Sequence, residues 1–145
     1  MEGADLLCLV ALRHFNVKPR FVSIESTKTS WKELRGEFAL LGTLGYSKFK
    51  VVQQKEVPAQ VCPFPAREGR YVEHRFPPGA SGLFGEEAPG RWISEKEALR
   101  KYRCIFLRYR LFGDRGLIYL LRLDRVFFRR RKPKVGWYDT HAAAY

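Results

Sequence analysis

Cysteine is scarce in this chain of 145 residues: Cys8, Cys62 and Cys104 are far apart and never in C-x-x-C spacing. An odd number without paired spacing argues against a disulfide framework and a zinc ribbon, and makes a reducing cytoplasm the expected setting. Long apolar runs are missing as well. The longest, Leu6 to Leu12, is flanked by Asp5 and Arg13. It falls far short of the ~20 residues that cross a bilayer, so neither a signal peptide nor a membrane partner is expected. The sequence also lacks an internal repeat, a low-complexity tract, a Walker loop, a G-x-G-x-x-G turn, and any helix-turn-helix, RNP or zinc-finger pattern.

Basic residues are what it has in excess. Lys and Arg total 27 against 15 Asp and Glu, a net charge of +12, while 46% hydrophobic and 14% aromatic residues are enough for one packed domain. The excess is concentrated late in the chain: between Lys101 and Lys134 twelve basic residues stand against Asp114 and Asp124. Arg129, Arg130, Arg131 and Lys132, after Phe127 and Phe128, have the chemistry to hold phosphates of nucleic acid, nucleotide or anionic lipid by displacing counterions. A solvated basic tail is the plainer reading of the same residues.

The spacing of apolar residues divides the chain into elements. Leu6, Leu9, Val10 and Arg13 at helical spacing, behind Asp5, predict a helix from Met1 to His14 with Cys8 on a buried face. Arg20 to Glu25 is a β-rich run ending in a Ser-Thr cluster. Ser30-Trp31-Lys32-Glu33 reads as a capping box that opens a helix with Trp31, Leu34, Phe38 and Leu41 on one face, ended by Gly42 and Gly45. Lys48 to Gln53 is a second short strand. Strand, helix, strand is the grammar of a βαβ unit, which predicts parallel neighbouring strands in an α/β sheet.

Residues 57–93 carry six prolines and five glycines and predict an extended surface loop, in which the glycines of Ser81 to Glu87 either bring backbone amides to a ligand or simply turn the chain. Ser94 to Glu97 forms another capping box, with Ala98, Tyr102, Ile105, Phe106 and Tyr109 on one face of the helix that follows. Leu117 to Phe128 fits either a strand or a helix. The domain thus divides into residues 1–56, the loop 57–93, and a helix with a basic tail over 94–145.

Several stretches carry a resemblance: Glu2-Gly3-Ala4-Asp5, Phe21 to Ser26, Gly45 to Gln54, Ser81 to Glu87 and Trp137 to Ala142. In this order they resemble the C-terminal part of FkbM-type methyltransferases, enzymes that use S-adenosylmethionine on a Rossmann-like class I fold. The resemblance implies a partial Rossmann-like α/β sheet, S-adenosylmethionine as cofactor, and a small-molecule or glycan hydroxyl as acceptor. It also implies a truncated or split form: the glycine-rich loop after the first strand and the acid ending the second are not in this chain, and Glu2-Gly3 match the end of the D-x-E-G motif. About 60 or more residues of cofactor-binding structure would then be missing. An N-terminal half or a second copy is the expected partner at the open sheet edge.

Candidate site residues follow from strand ends, where ligands of α/β sheets bind. Glu2, matching the motif, is the candidate catalytic carboxylate. Glu25 and Ser26 end the first strand and Gln53 and Gln54 the second, all candidates for binding a polar substrate. Asp139 and His141, with Glu73 and His74, are of the right types for a metal or an acid–base pair, but two ligands on a tail are too few to predict a metal.

Overall fold

The computed structural model describes residues 4–113 and 136–145. The first helix, α1 (Asp5–Ala11), passes into a 3-10 turn at Leu12–His14 and is shorter than its apolar spacing predicts. Only Leu9 of its stripe is buried; Leu6, Val10 and Cys8 are exposed, so Cys8 is not the core residue expected from sequence. Strand β1 (Phe21–Glu25), helix α2 (Trp31–Thr43) and strand β2 (Lys48–Gln53) lie where the sequence places them. The Ser30 hydroxyl caps α2 by accepting the Glu33 amide at 3.2 Å. The helix runs one residue past Gly42, and the chain turns at Gly45, whose φ of +94° favours glycine.

A two-residue strand, β3 (Ile93–Ser94), leads into α3 (Glu95–Phe112). Ser94 accepts the Glu97 amide while Glu97 reaches back to the Ser94 amide, the reciprocal box the sequence predicts. The last element is β4 (Tyr138–Ala143).

The strand order is β1-β4-β2-β3, and every pairing is antiparallel. This corrects the expectation of parallel neighbours. β1 and β2 do run in the same direction, because each is antiparallel to β4, but β4 lies between them. The described residues form a mixed α/β fold with a four-stranded antiparallel sheet. β4 is short and half polar, and its partners lie far away in the chain, so local periodicity gives little sign of it.

Register sorts the side chains onto two faces. Ile24 opposes Thr140, which opposes Val51; Val22 opposes Ala142, which opposes Phe49. That face packs on the helices, with Phe38 of α2 meeting Phe49 at 4.9 Å and Tyr102 of α3 at 5.9 Å, and Leu34, Phe38, Leu41, Phe49 and Tyr102 fully buried.

The opposite face carries the row Ser23, His141 and Lys50. It is covered by the Pro/Gly loop rather than by helices. Lys50 Nζ donates to the carbonyls of Ala88 at 2.6 Å and of Gly85 and Glu86 at 3.2 Å, and lies 4.4 Å from the Trp92 ring centre. Burial pulls the Lys50 ammonium below its ordinary pKa, while the nearby Glu86 carboxylate acts the other way. Phe84 sits over His141 and Phe21 stacks on Trp92.

Two glycines let this loop close. At Gly85, φ +60°, a Cβ would meet Glu68 Oε2 at 2.5 Å and the Phe21 ring at 3.1 Å; at Gly82, φ +78°, it would meet Gln60 Oε1 at 2.5 Å. The adjacent amides are taken within the protein, Leu83 by Gln60 and Glu86 by Glu68. Chain turning, not amide presentation to a ligand, is therefore what these glycines do.

Candidate functional site

Because β1 and β2 run the same way, their C-terminal ends come out at one edge of the sheet, with the start of β4 between them. Two main-chain bonds complete the edge: the Ser26 amide donates to the Tyr138 carbonyl at 3.1 Å and the Gln54 amide to the Trp137 carbonyl at 3.0 Å. A cleft of about 680 Å³ opens here, walled by Glu25, Ser26 and Thr27 after β1, Gln54 after β2, Trp137 and Asp139 of the β4 segment, Glu37 of α2 and Asp5 of α1. The volume is in the range of small-molecule sites.

Three of the sequence-predicted site residues meet in this cleft: Glu25, Ser26 and Gln54. Gln53 does not line it. Its half-buried side chain packs where Gly136 passes, close enough that a Cβ on Gly136 would meet Gln53 Nε2 at 2.8 Å. Glu2, and the candidate phosphate-binding residues Arg129, Arg130, Arg131 and Lys132, lie outside the described residues, as does the Leu117 to Phe128 segment.

Behind the cleft wall runs a buried chain of hydroxyls. Ser26 Oγ and Thr140 Oγ1 are 2.6 Å apart, and Thr140 Oγ1 is 2.6 Å from Tyr102 Oη. Burial pushes the Tyr102 phenol far above its ordinary range and keeps it protonated. The chain ties α3 through β4 to the end of β1, which holds Ser26 in place.

Of the carboxylates of the cleft, Glu25 and Asp139 are among the residues the sequence singles out, whereas Glu37 and Asp5 are not. Glu37 is only 6% exposed; its Oε1 accepts the Thr27 amide at 3.3 Å, and its Oε2 has no hydrogen-bond partner among the described residues. Burial raises its pKa, opposed by the Thr27 amide and the Ser26 hydroxyl and reinforced by the charges of Glu33 and Asp5. A glutamate set among Leu34, Phe38 and Leu41 on an apolar helix face was the available signal. Asp139 accepts a hydrogen bond from Gln54 Nε2 at 2.9 Å; burial raises its pKa, Gln54 lowers it, and Asp5 raises it further. Asp5 sits in the first turn of α1 and accepts the Glu25 amide at 2.9 Å, satisfying a donor at the outer edge of β1.

Asp139 and His141 share a face of β4 but not a site. His141 lies beneath Phe84, with both ring nitrogens buried and without a partner among the described residues, and its pKa is pushed down to about 4 by burial and then by Lys50. Among the described residues no three His, Cys, Asp or Glu are grouped to hold a metal ion. None of the described helices is long and apolar enough to cross a membrane. No protein-family model matches the chain, and neither curated proteins nor solved structures give a significant match.

Proposed function

We propose that the chain is the C-terminal part of an S-adenosylmethionine-dependent methyltransferase of the FkbM type, and that the cleft at the ends of β1 and β2 receives the methyl acceptor. The observation that carries this reading is the convergence of Glu25, Ser26 and Gln54 at one sheet edge by two strands of like direction joined through α2. Ligands of open α/β sheets bind outside the carboxyl ends of such strands. A reversed strand such as β4 is compatible with that class, since large doubly wound sheets are often mixed. The outer edge of β1 is where further strands would add.

The described residues do not fit the cofactor itself. Its cradle requires a glycine-rich turn between a strand and a helix with amides free to face the ligand. The turn after β1, residues 26–30, contains no glycine, and the glycine turns of the long loop direct their neighbouring amides to Gln60 and Glu68. The cradle has to come from other residues, supplied by an N-terminal half. What this chain contributes is acceptor binding: carboxylates at Glu25, Glu37 and Asp139 to accept a hydrogen bond from the acceptor group, with Gln54 and the Ser26 hydroxyl chain fixing the wall.

Calorimetric titration of S-adenosylmethionine into this chain alone is expected to show no tight stoichiometric binding. Mixing the chain with the separately expressed N-terminal half of an FkbM-type methyltransferase is expected to give transfer of labelled methyl groups to a hydroxyl or amine acceptor, reduced by Glu25→Gln. Tight cofactor binding by this chain alone, or no transfer from the mixture, would overturn the reading.

A further inference from the structure

We propose that the cleft between β1, β2 and α2 takes an amine in its ammonium form, with Glu37 and Asp139 accepting its N–H groups and Asp5 adding charge at the rim. This narrows the acceptor reading above to molecules that carry an ammonium group, held through it while a separate hydroxyl or neutral amine of the same molecule receives the methyl group, and it rests on the same cleft. Four carboxylates, Asp5, Glu25, Glu37 and Asp139, line it in a chain whose net charge is +12. Acidic lining alone would be an ordinary polar surface.

Glu37 makes it a site. Its side chain is nine-tenths buried on a helix face that otherwise packs Leu34, Phe38 and Leu41, it lines the cleft, and one of its oxygens has no partner among the described residues. A buried carboxylate oxygen left without a donor is costly, and a ligand ammonium would provide both the donor and the opposite charge.

The surrounding charges point the same way. Among the described residues, the charges that act on Glu37 are those of Glu33 and Asp5, and the charge that acts on Asp139 is that of Asp5. Lys28, in the turn after β1, lies over the Trp137 indole with its Nζ 3.1 Å from the ring centre. The carboxylates do not converge as metal ligands would, since no three acidic, His or Cys side chains are grouped among the described residues. Separated acceptors suit an extended ligand with several donors better than a bare cation, and the Trp137 and Leu6 surfaces give its carbon chain an apolar wall.

Butane-1,4-diamine and butane-1,4-diol match in length and differ in charge, so titrating each into the full chain, by calorimetry and by amide chemical shift, tests the proposal. The diamine is expected to bind saturably, about tenfold or more tighter than the diol, and to move the Ser26, Thr27 and Gln54 amides. Glu37→Gln and Asp139→Asn are each expected to weaken it about tenfold, while Glu56→Gln, on the exposed turn after β2, leaves it unchanged. Equal affinity for diol and diamine, shifts confined to other acidic surfaces, or indifference to both cleft substitutions would overturn the proposal. If either variant loses its fold by circular dichroism, the wild-type shift map and the diol comparison decide. The measurement involves no methyl transfer. A diamine that binds in the cleft but accepts no methyl group from the complemented enzyme therefore counts against the transferase reading and leaves the ammonium site standing.

Discussion

The hydroxyls of Ser26 and Thr140 meet at 2.6 Å although 114 positions separate them in the chain. The contact exists because β4 lies beside β1, where Thr140 faces Ile24 across the pair, and it extends to Tyr102 of α3. One side chain of the last strand thus connects a strand end at the cleft to a helix on the other side of the core.

Thr140→Val keeps the branched shape and removes the shared partner. It removes the hydroxyl that Ser26 and Tyr102 share inside the core, at roughly 1–3 kcal/mol in total. The urea midpoint is expected to fall with the m-value unchanged, and Thr140→Ser to retain most of the stability; equal midpoints for the valine variant and the wild type would contradict the hydroxyl chain.

Lys50→Met removes the donor that three loop carbonyls share. A loss of about 2–4 kcal/mol is expected, given the worth of hydrogen bonds to a charged group and their incomplete additivity. Protease cutting within residues 60–92 should rise more than cutting in α2 or α3. A variant whose loop resists protease as well as the wild type would show that other contacts hold it.

His141 makes stability fall in mild acid. Its folded pKa of about 4 lies below the ordinary 6.5, so between those values the unfolded chain binds more protons and unfolding gains ground as pH drops. The contribution is complete above about pH 6.5 and is lost on going down to about pH 4, an upper bound near 3 kcal/mol from the shift. Glu37 and Asp139, whose values burial raises, act in the opposite sense, adding stability as pH falls through their folded values. Comparing denaturant midpoints of the wild type and His141→Phe across pH 4 to 7 isolates the imidazole, and parallel curves would refute its role.

Ser94→Ala removes the N-cap of α3 and one half of its reciprocal box. Losses at such caps run about 0.5–2 kcal/mol. Hydrogen exchange in the first turn, Glu95 to Ala98, should speed up while exchange at Phe38 in α2 changes little; uniform acceleration would indicate a global rather than a local effect.

Helix and strand limits were legible wherever the signal is local. The Ser94 to Glu97 box, the Trp31 to Leu41 stripe and the apolar alternation of Lys48 to Gln53 depend on neighbours a few residues apart, and α2, β2 and α3 lie where those signals put them. The stripe of α1 misled. Leu6 and Val10 have helical spacing, yet no described element packs over them, and Cys8 is exposed with them. Spacing can identify an amphipathic face but not whether anything covers it.

For the cleft, strand ends were the readable part, which is why Glu25, Ser26 and Gln54 were found. Glu37 and Asp5 were not, because each reaches the cleft from a helix whose placement depends on packing against β1 and its neighbours. Gln53 shows the converse: as a strand residue next to Gln54 it projects to the other side of the sheet, so of two adjacent glutamines one lines the cleft.

The sequence by itself determined the helices of α2 and α3 and the strands β1 and β2, since caps, turns and periodicity act over a few residues. Only the tertiary structure decided that β4 inserts between them, that Lys50 fastens the Pro/Gly loop over the second face, and that buried carboxylates meet at one edge. Those outcomes rest on pairings between residues far apart in the chain, whose free energy comes from burial and register and leaves no local pattern to read.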